Sequence, residues 1–198
     1  MIRKLSALTL LALAAPAMAG DLSYTYVQGG YQRIDIDDDF IGSVDGDGFG
    51  LGFSFEVGEN FFIAGSYGTA ELDADVGFGF TVDYDQTDIG LGYHGAVSDK
   101  TDFFGILSWV KAEASISGFG SEDDDGYGLT VGLRSMVTDK VELEGHIGYV
   151  DIGDSGDGTA VGVSALYAFT PNFAAGATVD FDEDVTTYGI GARVYFGR

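Results

Sequence analysis

Residues 158–169 read Gly158-Thr159-Ala160-Val161-Gly162-Val163-Ser164-Ala165-Leu166-Tyr167-Ala168-Phe169. Thr159, Val161, Val163, Ala165, Tyr167 and Phe169 share one parity; Gly158, Ala160, Gly162, Ser164 and Ala168 take the other. Successive side chains of a strand point to opposite faces, so this segment has one apolar face and one small face. The stretch 158–179 contains no charge and has the length of a transmembrane helix. Thr170-Pro171-Asn172 interrupts it, however, and the flanks alternate with many Gly and β-branched residues. Two strands joined by a turn explain both features.

The same division runs through the chain. Phe49, Leu51, Phe53, Phe55 and Val57 oppose Gly48, Gly50, Gly52, Ser54 and Glu56; Tyr127, Leu129, Val131 and Leu133 oppose Gly126, Gly128, Thr130, Gly132 and Arg134; Tyr188, Ile190, Ala192, Val194 and Phe196 oppose Gly189, Gly191, Arg193 and Tyr195. No segment sustains a period of 3.6, so the chain is all-β. Strands are predicted over 22–35, 46–57, 61–72, 83–97, 102–117, 125–137, 141–151, 158–169, 173–182 and 185–196. Short turns at 58–60, 98–101, 138–140 and 170–172 alternate with longer acidic connections at 36–45, 73–82, 118–124 and 152–157 and with the tight Glu183-Asp184. Gly29-Gly30 marks a place where a bulge would shift the register of the first strand.

Composition narrows the class. Of 198 residues, 32 are Gly, 2 are Pro and none is Cys; 32 Asp and Glu face 9 Lys and Arg, for a net charge of −23. Aromatic content of 14 % argues against disorder despite the charge. The glycines lack the three-residue period of collagen, and without Cys there is neither a disulfide framework nor a thiolate metal site. So acidic a chain is a poor partner for nucleic acid, whose phosphates need Lys and Arg. At the N-terminus, Arg3 and Lys4 precede an apolar run from Leu5 to Ala15, then Pro16 and Ala17-Met18-Ala19. This reads as a cleaved secretory signal over 1–19, leaving one domain over 20–198.

A soluble barrel turns its apolar face inward, and a membrane barrel turns it outward. Here the non-apolar face is mostly Gly, Ser, Thr and Ala, which suit a confined interior. Apolar-parity aromatics gather at two levels. Phe55, Phe61, Tyr93, Phe103, Phe169, Phe173 and Phe196 lie beside the short turns; Phe49, Tyr67, Trp109, Tyr127, Tyr149, Phe181 and Tyr188 lie near the long connections. Two such girdles mark the two interfaces of a bilayer. Backbone groups in lipid must all be paired, so the sheet must close. The expected fold is a closed antiparallel up-and-down transmembrane β-barrel of ten strands, with eight as the alternative if two short segments are loops, and with both termini on one side.

Ser23-Tyr24-Thr25-Tyr26-Val27-Gln28-Gly29-Gly30-Tyr31, the aromatic pair after the turn at 60–62, Asp125-Gly126-Tyr127 and the C-terminal alternation resemble small proteobacterial outer-membrane β-barrel proteins. More narrowly, they resemble an outer-membrane family of xanthomonads and relatives that is linked to quorum sensing. The resemblance implies the outer membrane of a Gram-negative bacterium and insertion by the outer-membrane assembly machinery, guided by a final strand ending in Phe. Here Phe196 is followed by Gly197-Arg198, a departure from that ending.

Catalytic signatures are absent from the sequence. There is no Gly-x-Ser-x-Gly, and the glycines at 48, 50 and 52 line one face of a strand rather than a phosphate loop. His94 and His146 both lie close to short turns. No enzymatic activity and no cofactor is expected. A turn pairing Val137 with Val141 would set Arg134 opposite Glu144 and Gly132 opposite His146, all facing inward; Arg193 would then join Glu142, Glu144 or Glu56. Such a lumen charge network acts either as an internal salt-bridge plug or as a charged constriction that selects solutes. The acidic clusters supply hard oxygen ligands for Ca²⁺ or Mg²⁺, with Asp35, Asp37, Asp38, Asp39, Asp45 and Asp47 as the candidates, although Phe40 stands where an EF-hand loop needs Gly. The function expected is that of a monomeric structural or surface-interaction protein contacting outer-membrane lipid and lipopolysaccharide. A narrow porin-like channel for small cationic solutes is the alternative.

Overall fold

The computed structural model describes residues 22–38, 42–74, 80–116 and 120–196. Among them, ten strands form: β1 (Tyr26–Asp38), β2 (Gly42–Glu56), β3 (Phe61–Ala74), β4 (Phe80–Ser98), β5 (Thr101–Ile116), β6 (Gly120–Met136), β7 (Val141–Ile152), β8 (Gly156–Thr170), β9 (Phe173–Asp182) and β10 (Val185–Tyr195). Each pairs antiparallel with its sequence neighbours, and β1 pairs with β10 to close the barrel. Ten strands, not eight, is the observed number. Closure removes both sheet edges and satisfies the ladder throughout. The proposed signal segment lies outside the described residues.

The alternation of the sequence becomes the two sides of the wall. Leu51, Ile89, Leu91, Leu107, Val163 and Ile190 point outward, each at least half exposed. Both sets of aromatics predicted as girdles are outward and exposed as well. Several interlock at the end that carries the short turns and described residues 22 and 196, hereafter the turn end: Phe61 packs edge-on to Tyr93, and Tyr167 to Phe169.

Two expectations need correction. The Gly29-Gly30 bulge does not form: β1 holds one register against both neighbours, with Gly29 opposite Leu51 and Ala192, and Gly30 opposite Gly50 and Gly191. Second, the long acidic connections are mostly strand. β4 has 19 residues and β6 has 17, against the ~9–11 that a tilted strand needs to cross hydrocarbon. The surplus extends past the second girdle, at the loop end, and there the pattern inverts. Asp35, Asp45, Asp47, Glu71, Asp73, Asp83 and Glu113 point outward, while Ile34, Ile36, Val44, Leu72, Val82, Val150 and Ile152 turn inward and pack into one cluster. Lipid rewards apolar residues on the outside of a barrel and water rewards charge, so the inversion marks where the wall leaves the bilayer.

Candidate functional site

The lumen is built in three layers. At the turn end, residues 22–25 precede β1 and fold into the opening. Tyr24 is 1 % exposed, stacks on His94 at 3.9 Å and on Phe62 at 4.7 Å, and lies under Arg134, whose guanidinium carbon is 4.0 Å from the ring centre. Ser54 Oγ donates to the Tyr24 carbonyl (2.6 Å), and Arg134 Nη2 donates to the Ser23 carbonyl (3.4 Å). Arg134 Nε also meets Glu142 Oε1 at 3.3 Å, with both side chains 2 % exposed. Beside this set, Arg193 lies 3.9 Å over the Tyr26 ring, 5.9 Å from that of Tyr195, and donates to Gln28 Oε1. Two arginines held between aromatic faces and oxygen acceptors thus floor the barrel.

The middle layer is polar. Gly132 does face His146, and Arg134 faces Glu144 across the β6–β7 ladder, the register that the Val137–Val141 turn implies. His146 lies between two carboxylates, with Nδ1 3.3 Å from Glu144 Oε1 and Nε2 3.0 Å from Asp180 Oδ1. A cavity of about 80 Å³ opens beside it, lined by Gln28, Gln86, Asp88, Glu144 and Phe104 among others. A second of about 30 Å³ lies towards β1, β2 and β10. Gly162 and Gly132 make the room that this layer needs. A side chain at 162 would run into His146 and Asp180, and one at 132 into the Phe104 ring. The third layer is the apolar cluster at the loop end, where Ile34, Leu72 and Ile152 are at most 1 % exposed.

Of the sequence candidates, Arg134, Glu142, Glu144, His146 and Arg193 all line the lumen. Glu56 does not: it sits exposed at the rim, where Thr25 Oγ1 donates to its Oε2 at 3.2 Å. Its parity is inward, but it ends β2 beyond the turn-end layer. Arg193 takes Gln28 and Tyr26 as neighbours across the β1–β10 seam and Tyr195 on its own strand. Asp180, within the strand predicted over 173–182, also faces the lumen, and the parity it shares with Thr178 and Gly176 carries that signal. Neither Tyr24 nor Tyr26 is legible as a lumen residue from the sequence, because an aromatic in a predicted membrane strand is ordinarily read as facing lipid.

Of the described candidate cation ligands, Asp35 and Asp45 face one another across the β1–β2 ladder. Arg33 bridges Asp35 (3.0 Å) and Asp45 (3.1 Å) on the outer surface. The hydrogen bond to Asp35, together with both charges, raises the Arg33 pKa above its usual value. Asp37 stands opposite Ser43 and Asp47 opposite Glu71; Asp39 and the side chain of Asp38 lie outside the described residues. Among the described residues, no three His, Asp or Glu side chains come together as a metal site.

A family model described as "Outer membrane protein beta-barrel domain" matches residues 5–169. Comparison with curated proteins gives no match. Among solved structures, the translocator domain of the autotransporter NalP from Neisseria meningitidis is similar at TM-score 0.53 and 12 % identity, covering 88 % of this chain and 89 % of that one. The transport unit of the autotransporter AIDA-I from Escherichia coli aligns at TM-score 0.52 and 11 % identity over 98 % and 96 %. Neisserial surface protein A aligns at TM-score 0.50 and 17 % identity over 88 % and 98 %. At these identities the likeness is one of fold.

Proposed function

We propose, from the premise that this chain belongs to the outer membrane protein β-barrel domain family and resides in the outer membrane of a Gram-negative bacterium, that it is a sealed barrel with a structural or surface-interaction role. The observation that supports this reading is the burial of lumen side chains at both ends of the described barrel. The Tyr24–Arg134–Glu142 layer fills the turn end, and the Ile34–Leu72–Ile152 cluster fills the loop end. Ions crossing would have to displace buried apolar side chains from one layer and break charge-assisted contacts in the other. The working surface is then the acidic extension. Short turns face the periplasm and long connections the exterior in such barrels, which orients the extension outward, towards lipopolysaccharide and its bridging cations.

The polar middle chamber supports the second reading, a narrow channel for small cations. Planar-bilayer recording of the purified chain separates the two. A silent membrane at protein levels that give verified insertion is expected, and reproducible unitary openings would overturn the sealed-barrel reading. The motifs at 23–31 and 125–127 favour the narrower quorum-sensing-linked branch. Assembly as a monomer with help from the outer-membrane insertion machinery belongs to the same proposal.

A further inference from the structure

The lipid-facing belt is not uniformly convex. Between β6, β7 and β8 a groove of about 440 Å³ runs along the outer wall, flanked by Phe103, Leu133, Ile147 and Val163. Its floor is bare backbone because Gly145 occupies an outward position, where an added side chain would meet no atom within 4 Å. The lining is almost wholly apolar. A methylene has roughly the bulk of a water molecule, whose share of liquid volume is about 30 Å³, so the groove takes on the order of fifteen methylenes. That is the size of one acyl chain.

Charge is arranged at the end of this groove. Among the described residues, the exterior cations of the loop end are already tied to acids: Arg33 to Asp35 and Asp45, and Lys111 to Asp123 at 2.9 Å. Arg134 and Arg193 are inside the lumen. The remaining two, Lys100 and Lys140, lie at the turn end of the strands that carry the groove, Lys140 in the turn at 138–140 and Lys100 in the neighbouring turn. Lys100 backbone accepts from Met136 N (2.8 Å), and Lys140 backbone accepts from Ala168 N (2.8 Å). Lys100 Nζ makes only a long contact with exposed Asp139 (3.7 Å), and Lys140 Nζ stands 6.0 Å over the Tyr167 ring. Gly145 is five residues along β7 from Lys140, roughly 17 Å of strand. With the strand tilt, that places the groove within the ~15 Å depth of one leaflet.

We propose that this face binds one anionic glycerophospholipid from the turn-end leaflet, with an acyl chain in the Gly145 groove and its phosphate between Lys100 and Lys140. An ammonium attracts phosphate as a point charge, and aromatic Tyr167 supports the interfacial position of the headgroup. Lipopolysaccharide is the less fitting occupant because the leaflet it would approach from carries the acidic ladder.

Native mass spectrometry of the full chain in detergent tests this, with phosphatidylglycerol and phosphatidylcholine of identical acyl chains as probes and lipid A as competitor. One retained phosphatidylglycerol per barrel is expected, favoured at least tenfold over phosphatidylcholine. Gly145→Leu fills the groove and should remove the adduct, whereas Lys140→Gln should keep acyl binding and lose the headgroup preference. Leu91→Ala, on the belt at β4, should change nothing. Gel mobility before and after boiling reports folding of each variant. Equal retention of the two phospholipids, an adduct that survives Gly145→Leu, or preference for lipid A would each overturn the proposal.

Discussion

The Arg134 guanidinium carbon lies 4.0 Å over the centre of the Tyr24 ring, joining a residue just before the first strand to the end of the sixth. With His94 stacked beneath and Phe62 beside it, Tyr24 acts as the stopper of the turn end. Tyr24→Ala should therefore open this floor while leaving the loop-end cluster closed. Paired with Leu72→Ala, which loosens that cluster, it should convert a silent barrel into one with discrete conductance. Planar-bilayer recording of both single variants and the double variant checks this, with openings expected in the double variant only.

Arg134 has a second task, as the partner of Glu142 in a site where both side chains are 2 % exposed. Removing one member of a buried pair strands the other charge, at a cost of about 3–5 kcal/mol. Arg134→Met should lower the urea midpoint of the detergent-folded barrel accordingly. Glu142→Gln should cost less, because the arginine keeps Tyr24 and the Ser23 carbonyl. The double variant should recover part of the Arg134→Met loss, and a purely additive result would show that the two do not act as a pair.

How much of this could be read from residues alone follows from what alternation can and cannot encode. Parity along 158–169 or 188–196 specifies which face meets lipid, and the turn at 138–140 specifies that Arg134 meets Glu144. Parity does not say what the outside solvent is. Ile34 and Ile36, alternating with Asp35 and Asp37, carry the same period as the belt with the opposite sense, and only the surplus length of β1–β6 reveals a wall standing in water. The acids there read as loops because charge in a membrane protein ordinarily ends a strand. Tyr24 was illegible for a different reason: its partners come from β3, β4 and β6, and no local pattern encodes a contact across the lumen.

The lumen depends on glycine where rings cross it. A Cβ at position 132 would fall 2.6 Å from both the Gly145 carbonyl oxygen and the Phe104 ring. Phe104 is 2 % exposed and packs with Tyr24 and Phe62, so it cannot swing clear. Gly132→Ala should destabilise by about 1–3 kcal/mol through overpacking. Gly50→Ala is the matched control, since its nearest neighbour would be 3.9 Å away. Urea midpoints read by gel mobility should separate the two variants clearly, and equal midpoints would refute the overpacking account.

The extension poses its own electrostatic question, since its outward acids oppose one another directly: Asp45 faces Asp73, Asp47 faces Glu71, Glu71 faces Asp83, and Glu113 faces Asp123. Like charges opposite each other in a ladder each cost up to about 1 kcal/mol, and salt screens them, the Debye length falling from about 30 Å at 0.01 M to about 8 Å at 0.15 M. Raising salt across that range should slow amide exchange in 42–48, 69–74 and 113–116 while leaving the belt unchanged. Trp109, the single tryptophan, donates to Asp125 at 3.1 Å at the base of the extension, so its fluorescence offers a second readout. Because Arg33 bridges Asp35 and Asp45 and so offsets part of their charge, Mg²⁺ should match Na⁺ at equal ionic strength. A saturable excess effect of Mg²⁺ at micromolar levels would instead show that these acids coordinate the ion.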